Sequence, residues 1–304
     1  MRAPMETWVI ATVLAAGFQT VRFMLQKQLS MGALSTAGAT FARFMYSSPL
    51  VLLLVATYLA ARDLPLPALS GLFWGYALAG GLTQILATIC VVALFRQRNF
   101  AVGITFKNTE VVLTAFAGLL VLGEGVTPGG LAAILLGLVG VLVLSGTPGL
   151  TGNLWRRIAS RAAGLGLLAG ALFAVSSVTY RGASLELASD DPFLRAMVTL
   201  AAVTASQTIA MTLWLRWREP GQIGAVIGVW RRAVWIGLTS MAGSLCWFTA
   251  FTLQNVAYVK AVGQVELIFS LAASILFFNE KFTGREALGI ALISASVLSL
   301  VLFL

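Results

Sequence analysis

Residues 129–146 read GGLAAILLGLVGVLVLSG, a run of 18 residues without a charge. Such a run is typical of a helix that crosses a lipid bilayer, because about 20 apolar residues span the hydrocarbon core. Similar segments precede and follow it, and open strands cannot span lipid, so the chain is predicted to be a bundle of ten transmembrane helices. The ten predicted segments are 7–27, 35–60, 70–94, 101–121, 129–146, 163–182, 193–215, 233–254, 258–278 and 284–303.

The composition agrees with a lipid environment. The chain has 304 residues, of which 59% are hydrophobic and 10% charged, whereas a soluble domain carries about 25% charged residues. The net charge of +9 does not indicate nucleic-acid binding. Its basic residues lie in short loops, and no basic and aromatic surface is left to build such a site.

Several kinds of enzyme are excluded by the residues that the chain lacks. It has no histidine, which removes histidine-based metal sites, catalytic triads and histidine proton relays. It has no phosphate-binding Gly-x-x-x-x-Gly-Lys-Ser/Thr loop, so we expect no ATP hydrolysis and no cofactor. Cys90 and Cys246 lie in apolar runs and are predicted to be packing residues. The sequence therefore favours a membrane protein that is not an enzyme.

The distribution of Lys and Arg predicts the orientation in the membrane. Basic residues concentrate in the odd-numbered connections, as at Arg156–Arg157 and Arg231–Arg232, while the even-numbered connections hold few. Cytoplasmic loops carry the excess of Lys and Arg. We therefore expect the odd-numbered loops in the cytoplasm and both termini on the periplasmic side.

The chain repeats itself at an offset of 156 residues. This offset predicts one five-helix repeat over 1–148 and a second over 149–304. Because five is odd, the second repeat enters the membrane from the opposite side. Inverted repeats are typical of secondary transporters, which bind substrate near the midplane between the halves and work by alternating access. The informative matches are Trp74 with Trp230, Cys90 with Cys246, Asn99 with Asn255, Glu110 with Glu266, and Glu124 with Glu280.

Two related motifs carry a resemblance to a known family. Residues 122–127 read LGEGVT before the glycine-rich segment 129–146, and residues 278–283 read FNEKFT before the segment 284–303. Each resembles an EamA-type repeat of the drug/metabolite transporter superfamily, and the resemblance covers essentially the whole chain. Within that superfamily, the sequence is most similar to the YddG-type bacterial exporters of aromatic and other neutral amino acids. The resemblance implies metabolite efflux across a bacterial inner membrane, and a monomer, because the chain already carries both halves.

Charged residues inside the predicted spans are the first candidates for function, since they are costly in lipid. Lys107 and Glu110 are three residues apart and can pair on one helical face, either for transport or simply as a neutralised structural pair. Glu110 and Glu266 are repeat equivalents and the candidates for proton coupling. Arg22 is expected to extend towards a membrane interface. Glu124 and Glu280 are expected to cap helices or tie loops.

Polar and aromatic residues complete the predicted cavity. Amides, hydroxyls and balanced charges suit an amino-acid zwitterion, which needs donors for its carboxylate and acceptors for its ammonium. Aromatic rings suit an apolar side chain and can contact the ammonium. The predicted substrate-binding residues are Gln19, Arg43, Tyr46, Gln84, Thr88, Lys107, Asn108, Ser244, Trp247, Tyr258 and Gln264.

Three other functions stay open at this point. A sugar-phosphate or nucleotide-sugar exchanger would hold phosphate with Lys107, Lys260 and Arg43, although Glu110 and Glu266 oppose that charge. An integral-membrane enzyme lacks a recognisable catalytic constellation. A structural scaffold does not need glutamates at equivalent positions in both halves.

Overall fold

The computed structural model describes residues 5–32, 34–95, 107–144, 161–269, 272 and 284–303. All regular secondary structure in these ranges is helical, as the sequence predicts. Residues 265–269 are helical as well. The helices are α1 (Met5–Ser30), α2 (Thr36–Arg62), α3 (Gly71–Leu94), α4 (Glu110–Leu122), α5 (Pro128–Leu144), α6 (Arg161–Leu185), α7 (Pro192–Arg218), α8 (Gln222–Gly228), α9 (Trp230–Leu253), α10 (Val256–Val262) and α11 (Gly284–Phe303).

Six of these helices, namely α1, α2, α3, α6, α7 and α9, are long and apolar enough to cross a membrane. The helices α4, α5 and α11 are apolar but shorter. Large side chains such as Leu53 and Leu120 point outwards, 61% and 83% exposed, as expected for a surface that faces lipid tails. A multi-pass α-helical protein is therefore confirmed, whereas ten crossings and an inverted repeat stay predictions. Glu280 and the predicted repeat boundary at 148–149 lie outside the described residues.

Helix starts are set by local capping chemistry. The Ser35 hydroxyl accepts a hydrogen bond from the Gly38 amide at the start of α2, and Ser70 does the same at the start of α3. Asp191 caps α7, whose first residue is Pro192. These side chains satisfy amide groups that have no partner within the helix. The helix starts agree with the predicted segments 35–60, 70–94 and 193–215 to within one residue.

The predicted segment 258–278 is not one continuous helix. It begins with α10, turns at Gly263 and Gln264, and becomes helical again at 265–269. Backbone hydrogen bonds at the turn span three residues, as from the Glu266 amide to the Gly263 carbonyl at 3.0 Å. A Cβ atom at Gly263 would lie 2.5 Å from the Trp247 ring, so only glycine allows this close approach. Tight turns of this kind within a helical segment often mark functional sites.

The predicted segment 101–121 has a turn within one residue of the equivalent place. Lys107 is followed by a turn at Asn108 and Thr109, and α4 begins at Glu110. At an offset of 156 residues, Asn108 corresponds to Gln264 and Glu110 to Glu266. Both segments therefore turn just before their glutamate. The residues that precede Lys107 lie outside the described range.

Helix packing follows the same offset. The offset of 156 residues relates α1 to α6, α2 to α7 and α3 to α9. The contact between α1 and α9 therefore corresponds to the contact between α6 and α3, and the contact between α2 and α9 corresponds to the contact between α7 and α3. The pairs α2–α7 and α5–α11 join equivalent helices of the two halves. At Gly140 the backbones of α5 and α11 approach so closely that a Cβ atom would lie 2.9 Å from the Leu292 Cβ. Small residues allow this close helix packing in membranes.

Candidate functional site

An ion-pair cluster lies inside the bundle and consists of Lys107, Glu110, Lys260 and Glu266. The Lys260 Nζ lies 2.5 Å from Glu110 Oε1, and the Lys107 Nζ lies 3.4 Å from Glu110 Oε2. Lys107 also approaches Glu266 Oε2 at 4.0 Å. Glu110 is only 4% exposed and bridges both lysines. The cluster is balanced, with two cations and two carboxylates, which lowers the cost of burying them.

The two helix turns place these charges. Lys107 directly precedes one turn, and Glu110 is the first residue of α4, where the helix dipole favours a carboxylate. Glu266 lies one residue after the other turn, with Val265 between them. The two lysines, however, are not repeat equivalents, since Lys107 corresponds to Gly263 and Lys260 to Ile104 at the offset of 156 residues. Both lysines converge on one glutamate, so the cluster is asymmetric.

Gln19 connects the ion-pair cluster to its neighbours. Its Nε2 donates a hydrogen bond to Glu266 Oε2 at 2.6 Å. Its Oε1 accepts from Trp247 Nε1 at 3.2 Å and from Arg22 Nη2 at 3.4 Å. Helices α1 and α9, which carry Gln19 and Trp247, pack against each other. This single amide therefore links a carboxylate, an indole and a guanidinium.

Arg43 is surrounded by hydroxyl groups. Its Nε donates to Ser240 Oγ at 2.7 Å, and its Nη2 donates to Ser244 Oγ at 3.1 Å. Its Nη1 donates to Thr88 Oγ1 at 3.4 Å. The side chain is buried, and within the described chain no carboxylate lies within 4.0 Å of it. The hydroxyls orient the guanidinium but do not neutralise its charge.

An aromatic wall, formed by Phe173, Trp247 and Phe251, faces the lysines. The Lys260 Nζ lies 4.7 Å from the Trp247 ring centroid, and it lies 5.4 and 5.9 Å from those of Phe251 and Phe173. Trp247 and Phe251 stack with centroids 5.6 Å apart. Aromatic faces attract cations at these distances. The wall therefore offers an apolar surface directly beside the charged groups.

A second polar group inside the bundle joins the two halves of the chain. The Tyr180 hydroxyl donates to Gln84 Oε1 at 3.0 Å, and Gln207 Nε2 donates to the same oxygen at 3.0 Å. Gln207 also bonds the Gly81 carbonyl. Because α3 packs closely on α6 and α7, these three side chains meet. They fix the orientation of the Gln84 amide next to the cavities.

Small cavities run through this region, and Gln19 and Trp247 line each of three of them. The first faces the ion-pair cluster. The second, which we call the guanidinium pocket, is lined by Arg22 and Arg43 together with Ser240 and Ser244. The third lies between Arg43 and the aromatic wall. The charged groups thus border neighbouring cavities that share side chains from both halves of the chain.

Some polar atoms here have no hydrogen-bond partner in the described chain, although they are buried. They are Asn108 Nδ2, both amide atoms of Gln264, and Arg22 Nη1. Unpaired buried polar groups are costly and rare in folded proteins, so each needs an explanation. These residues line the first two cavities. Water or a polar solute bound in these cavities would satisfy them.

Most residues that the sequence predicts for the substrate site meet around these cavities. The structure brings together Gln19, Arg43, Gln84, Thr88, Lys107, Asn108, Ser244, Trp247 and Gln264, and with them the coupling candidates Glu110 and Glu266. Two predicted residues lie elsewhere. The Tyr46 hydroxyl bonds the Val226 carbonyl, and the Tyr258 hydroxyl accepts from the Thr127 amide. Both tyrosines tie one segment of the chain to another.

Sequence reasoning missed several residues of the site. Arg22 is only 3% exposed and lines the guanidinium pocket rather than a membrane interface, because α1 buries it against the bundle. The sequence predicts a role for Lys260 only in the exchanger alternative, yet this residue makes the shortest ion pair of the cluster. Phe173 and Tyr180 had no sequence signal beyond their apolar surroundings. The charge of Arg22 and Lys260 within apolar segments was the available signal.

Polar contacts between the two halves of the chain lie at opposite ends of the bundle. At the end formed by the even-numbered loops, Arg181 pairs with Glu124 through contacts of 2.7 to 2.9 Å. Its Nη1 also donates to the Phe251 and Gln254 carbonyls. We call this contact the Arg181 tie. It confirms that Glu124 is a loop tie.

At the end formed by the odd-numbered loops, the residues before α2 contact those after α7. The Ser35 hydroxyl donates to Glu219 Oε2 at 2.5 Å, and the Ser35 amide donates to Gln222 Oε1 at 3.0 Å. Each tie joins residues from the first half to residues from the second. Both ends of the bundle are therefore held across the predicted repeat interface.

One carboxylate outside the helical spans has a perturbed pKa. Burial by itself raises the pKa of Asp191, but hydrogen bonds from the Tyr58 hydroxyl and from the Leu194 and Phe193 amides outweigh burial, so the pKa lies below its ordinary value. The Tyr58 Oη to Asp191 Oδ2 distance is 2.6 Å. Asp191 is therefore ionised at neutral pH and caps α7 as an anion. In the part of the chain that the structure describes, no group of three His, Cys, Asp or Glu side chains is placed to hold a metal ion.

Comparisons with known proteins agree with this architecture. Residues 160–302 match the model of the EamA-like transporter family. An uncharacterized transporter in the cobO 3′ region of Sinorhizobium sp. is 27% identical over 137 residues, which make up 45% of this chain and 94% of that protein. A solved crystal structure superimposes with a TM-score of 0.66 at 20% identity, over 97% of this chain and 99% of the other. The family model and the Sinorhizobium relative support the drug/metabolite transporter superfamily and a transporter rather than an enzyme, and the solved structure shows a similar fold.

Proposed function

We propose that the protein is a secondary exporter of small metabolites, with neutral and aromatic amino acids as its substrate class. The observation that carries this proposal is the ion-pair cluster with its adjoining cavities. Gln19 and Glu110 come from the first half of the chain, and Trp247, Lys260 and Glu266 come from the second. Buried charges at such a place in a membrane protein serve a pathway more often than they serve folding.

The cavities offer matching chemistry for both ends of an amino acid. Arg43 and the hydroxyls of Ser240 and Ser244 suit the carboxylate, and Glu266 with Gln19 suits the ammonium. The aromatic wall suits an apolar or aromatic side chain. The substrate thereby exchanges its water shell for fixed polar groups of both signs.

Alternating access between inverted halves is the proposed mechanism. It is supported by the helix pairs that the offset of 156 residues exchanges, α1–α9 with α6–α3 and α2–α9 with α7–α3. It is also supported by the turns shortly before Glu110 and Glu266, which lie within one residue of equivalent places, since discontinuous helices are common at transporter binding sites. In this proposal the Arg181 tie and the Ser35–Glu219 contact open in turn, each exposing the cavities to one side.

The proposal includes a setting and a coupling role. We place the protein as a monomer in a bacterial inner membrane, with both termini periplasmic and the basic odd-numbered loops in the cytoplasm. Glu110 and Glu266 are the coupling candidates, because proton binding to either would remove one of the carboxylate contacts of Lys107. The transport is then either downhill or proton-antiporting.

A second candidate is a sugar-phosphate or nucleotide-sugar exchanger, and one observation favours it. Arg22 and Arg43 line one pocket, and no described carboxylate lies within 4.0 Å of either. Guanidinium groups bind phosphate well. The aromatic wall beside the charges favours the amino-acid exporter instead.

Flux into and out of liposomes tests the function. Purified protein is reconstituted, and radiolabelled phenylalanine, methionine, threonine and glucose 6-phosphate are each assayed with and without a pH gradient. Saturable flux of the amino acids, inhibited by unlabelled competitors, is expected. Flux of the phosphorylated sugar alone would replace this proposal with the exchanger.

The double variant E110Q/E266Q tests the coupling role, with E186Q as the control because Glu186 is exposed at a helix end. We expect the pH dependence of flux to disappear in the double variant and to persist in the control. An unchanged pH dependence in the double variant removes both glutamates from coupling.

A further inference from the structure

The charges around the cavities do not balance. Four of the ionisable side chains are cations and two are carboxylates, so the set carries a formal excess of two positive charges. All are largely buried, with Glu266 the most exposed at 18% of its side chain. The set is Arg22, Arg43, Lys107, Glu110, Lys260 and Glu266.

The excess lies in one place. Lys107 and Lys260 are matched by Glu110 and Glu266 within the ion-pair cluster. Arg22 and Arg43, by contrast, have no carboxylate within 4.0 Å among the described residues. Their polar contacts are neutral amides and hydroxyls. The guanidinium pocket is therefore the positively charged part of the cavity system.

The pocket is also incompletely bonded. Arg22 Nη1 is buried and has no hydrogen-bond partner in the described chain. Arg43, in contrast, is fixed by Ser240, Ser244 and Thr88, which hold the plane of its guanidinium. A buried charge without a counterion is costly, and two of them in one pocket repel each other. An anion that binds between them relieves both costs and forms charge-assisted hydrogen bonds.

We infer that Arg22 and Arg43 form a subsite for one anionic group, a carboxylate or a phosphoryl group, of the transported molecule. The subsite rests on the proposed transport function and narrows its substrate class to solutes that carry such a group. The apolar part of the solute lies along the aromatic wall, which the third cavity joins to Arg43. An amine of the same size without an anionic group does not use this subsite.

Binding to the purified full-length protein tests the subsite by isothermal titration calorimetry. The probes are 3-phenylpropionate, phenyl phosphate and phenethylamine, which share a phenyl ring and differ in charge. We expect the wild type to bind at least one of the two anions. Arg22→Gln and Arg43→Gln should each weaken that binding about tenfold or more, as expected for the loss of a charge-assisted contact. The preferred anion identifies the group as carboxylate or phosphoryl.

Two further variants separate the subsite from general damage. Arg43→Lys keeps the charge but loses the fork geometry, so we expect an intermediate loss of anion affinity. Arg231→Gln removes an exposed cation and should leave all affinities unchanged. Phenethylamine affinity, where measurable, should be the same in every variant, which would show that the pocket variants remain folded.

Several results would overturn the subsite. They are a wild type that binds neither anion, an anion affinity that Arg22→Gln and Arg43→Gln leave unchanged, and an equal loss of amine and anion binding. Failure of the transport proposal is distinguishable, since liposomes would then show no saturable flux while anion binding still depended on the two arginines. Conversely, amino-acid flux that the two variants do not affect would keep the transporter and remove the subsite.

Discussion

Arg181 and Arg22 are both buried or largely buried arginines, and their surroundings differ completely. Arg181 pairs with both oxygens of Glu124 and donates to the Phe251 and Gln254 carbonyls. Arg22 makes one long hydrogen bond to Gln19 and leaves Nη1 without a partner in the described chain. A saturated guanidinium holds the bundle together, whereas an unsaturated one has capacity left for a ligand. For these two arginines, hydrogen-bond saturation distinguishes the structural contact from the candidate binding residue better than burial does.

The largest effect is expected from Glu110→Gln. The substitution leaves Lys107 and Lys260 without their shared carboxylate, and an uncompensated buried charge costs about 3–5 kcal/mol. We expect the free energy of unfolding to fall by that amount, measured by chemical denaturation in detergent. The control E186Q removes an exposed carboxylate and should leave the free energy of unfolding unchanged. The double variant E110Q/K260M should recover part of the loss, and no recovery would argue against the Lys260–Glu110 pair.

The second-largest loss of stability is expected from substitution of Arg181, the arginine whose hydrogen bonds are saturated. Arg181→Gln removes a bidentate ion pair and the bonds to two carbonyls, and hydrogen bonds to charged groups contribute about 1.5–3 kcal/mol. We expect the protein to be less stable by about that amount, measured as a lower unfolding temperature. Glu124→Gln should lose less than Arg181→Gln, because the carbonyl contacts of Arg181 remain. Equal stability of Arg181→Gln and wild type would contradict the tie.

Substitution of Arg22, the arginine with an unpaired nitrogen, should affect flux more than stability. Arg22→Gln removes a buried charge that has no counterion, so we expect stability to be unchanged or higher by up to about 1 kcal/mol. Flux should nevertheless fall, as is common where a destabilising residue serves function. The measurement is the unfolding temperature beside the liposome flux. A large loss of stability would place Arg22 with Arg181 among the structural residues.

The smallest effect concerns Asp191, whose pKa is lowered by the Tyr58 hydroxyl and two amides. A lowered pKa stabilises the folded protein at pH values above 3.8, the ordinary pKa of an aspartate. This stabilisation is lost as the pH falls through the folded-state pKa. Asp191→Asn should keep the α7 cap, since asparagine also caps helices well. We expect the variant to be slightly less stable than the wild type at pH 7 and to lose less stability as the pH falls below about 4. Identical acid dependence in the two proteins would remove Asp191 from this role.

Much of the helix architecture could be predicted because apolar length is a strong signal in a membrane protein. The start of α3 follows the predicted segment 70–94 to within one residue. The turn at Gly263 could not be predicted, because glycine is also common within membrane helices. Glycine is required at this position because the Trp247 ring packs against it, a contact that only the folded structure shows.

The site was predicted in part for the same reason. The Lys107–Glu110 pair follows from a spacing of three residues. The Lys260–Glu110 pair joins residues 150 positions apart, and no local pattern indicates it. Tyr46 and Tyr258 are polar aromatics within spans, as binding residues often are, but only tertiary packing shows that their hydroxyls bond backbone groups elsewhere.

Lys107 and Lys260 do not correspond to each other in the predicted repeat, and this affects how many solute molecules one chain is expected to bind. A perfectly duplicated chain would carry two equal sites, one per half. Here Lys107 and Lys260 occupy non-equivalent positions and share Glu110. Equal sites are therefore not formed, and a calorimetric titration should reach saturation at one molecule of solute per chain. In the predicted repeat arrangement the two copies form a single off-axis site, so a change to either half is expected to alter selectivity for the same solute.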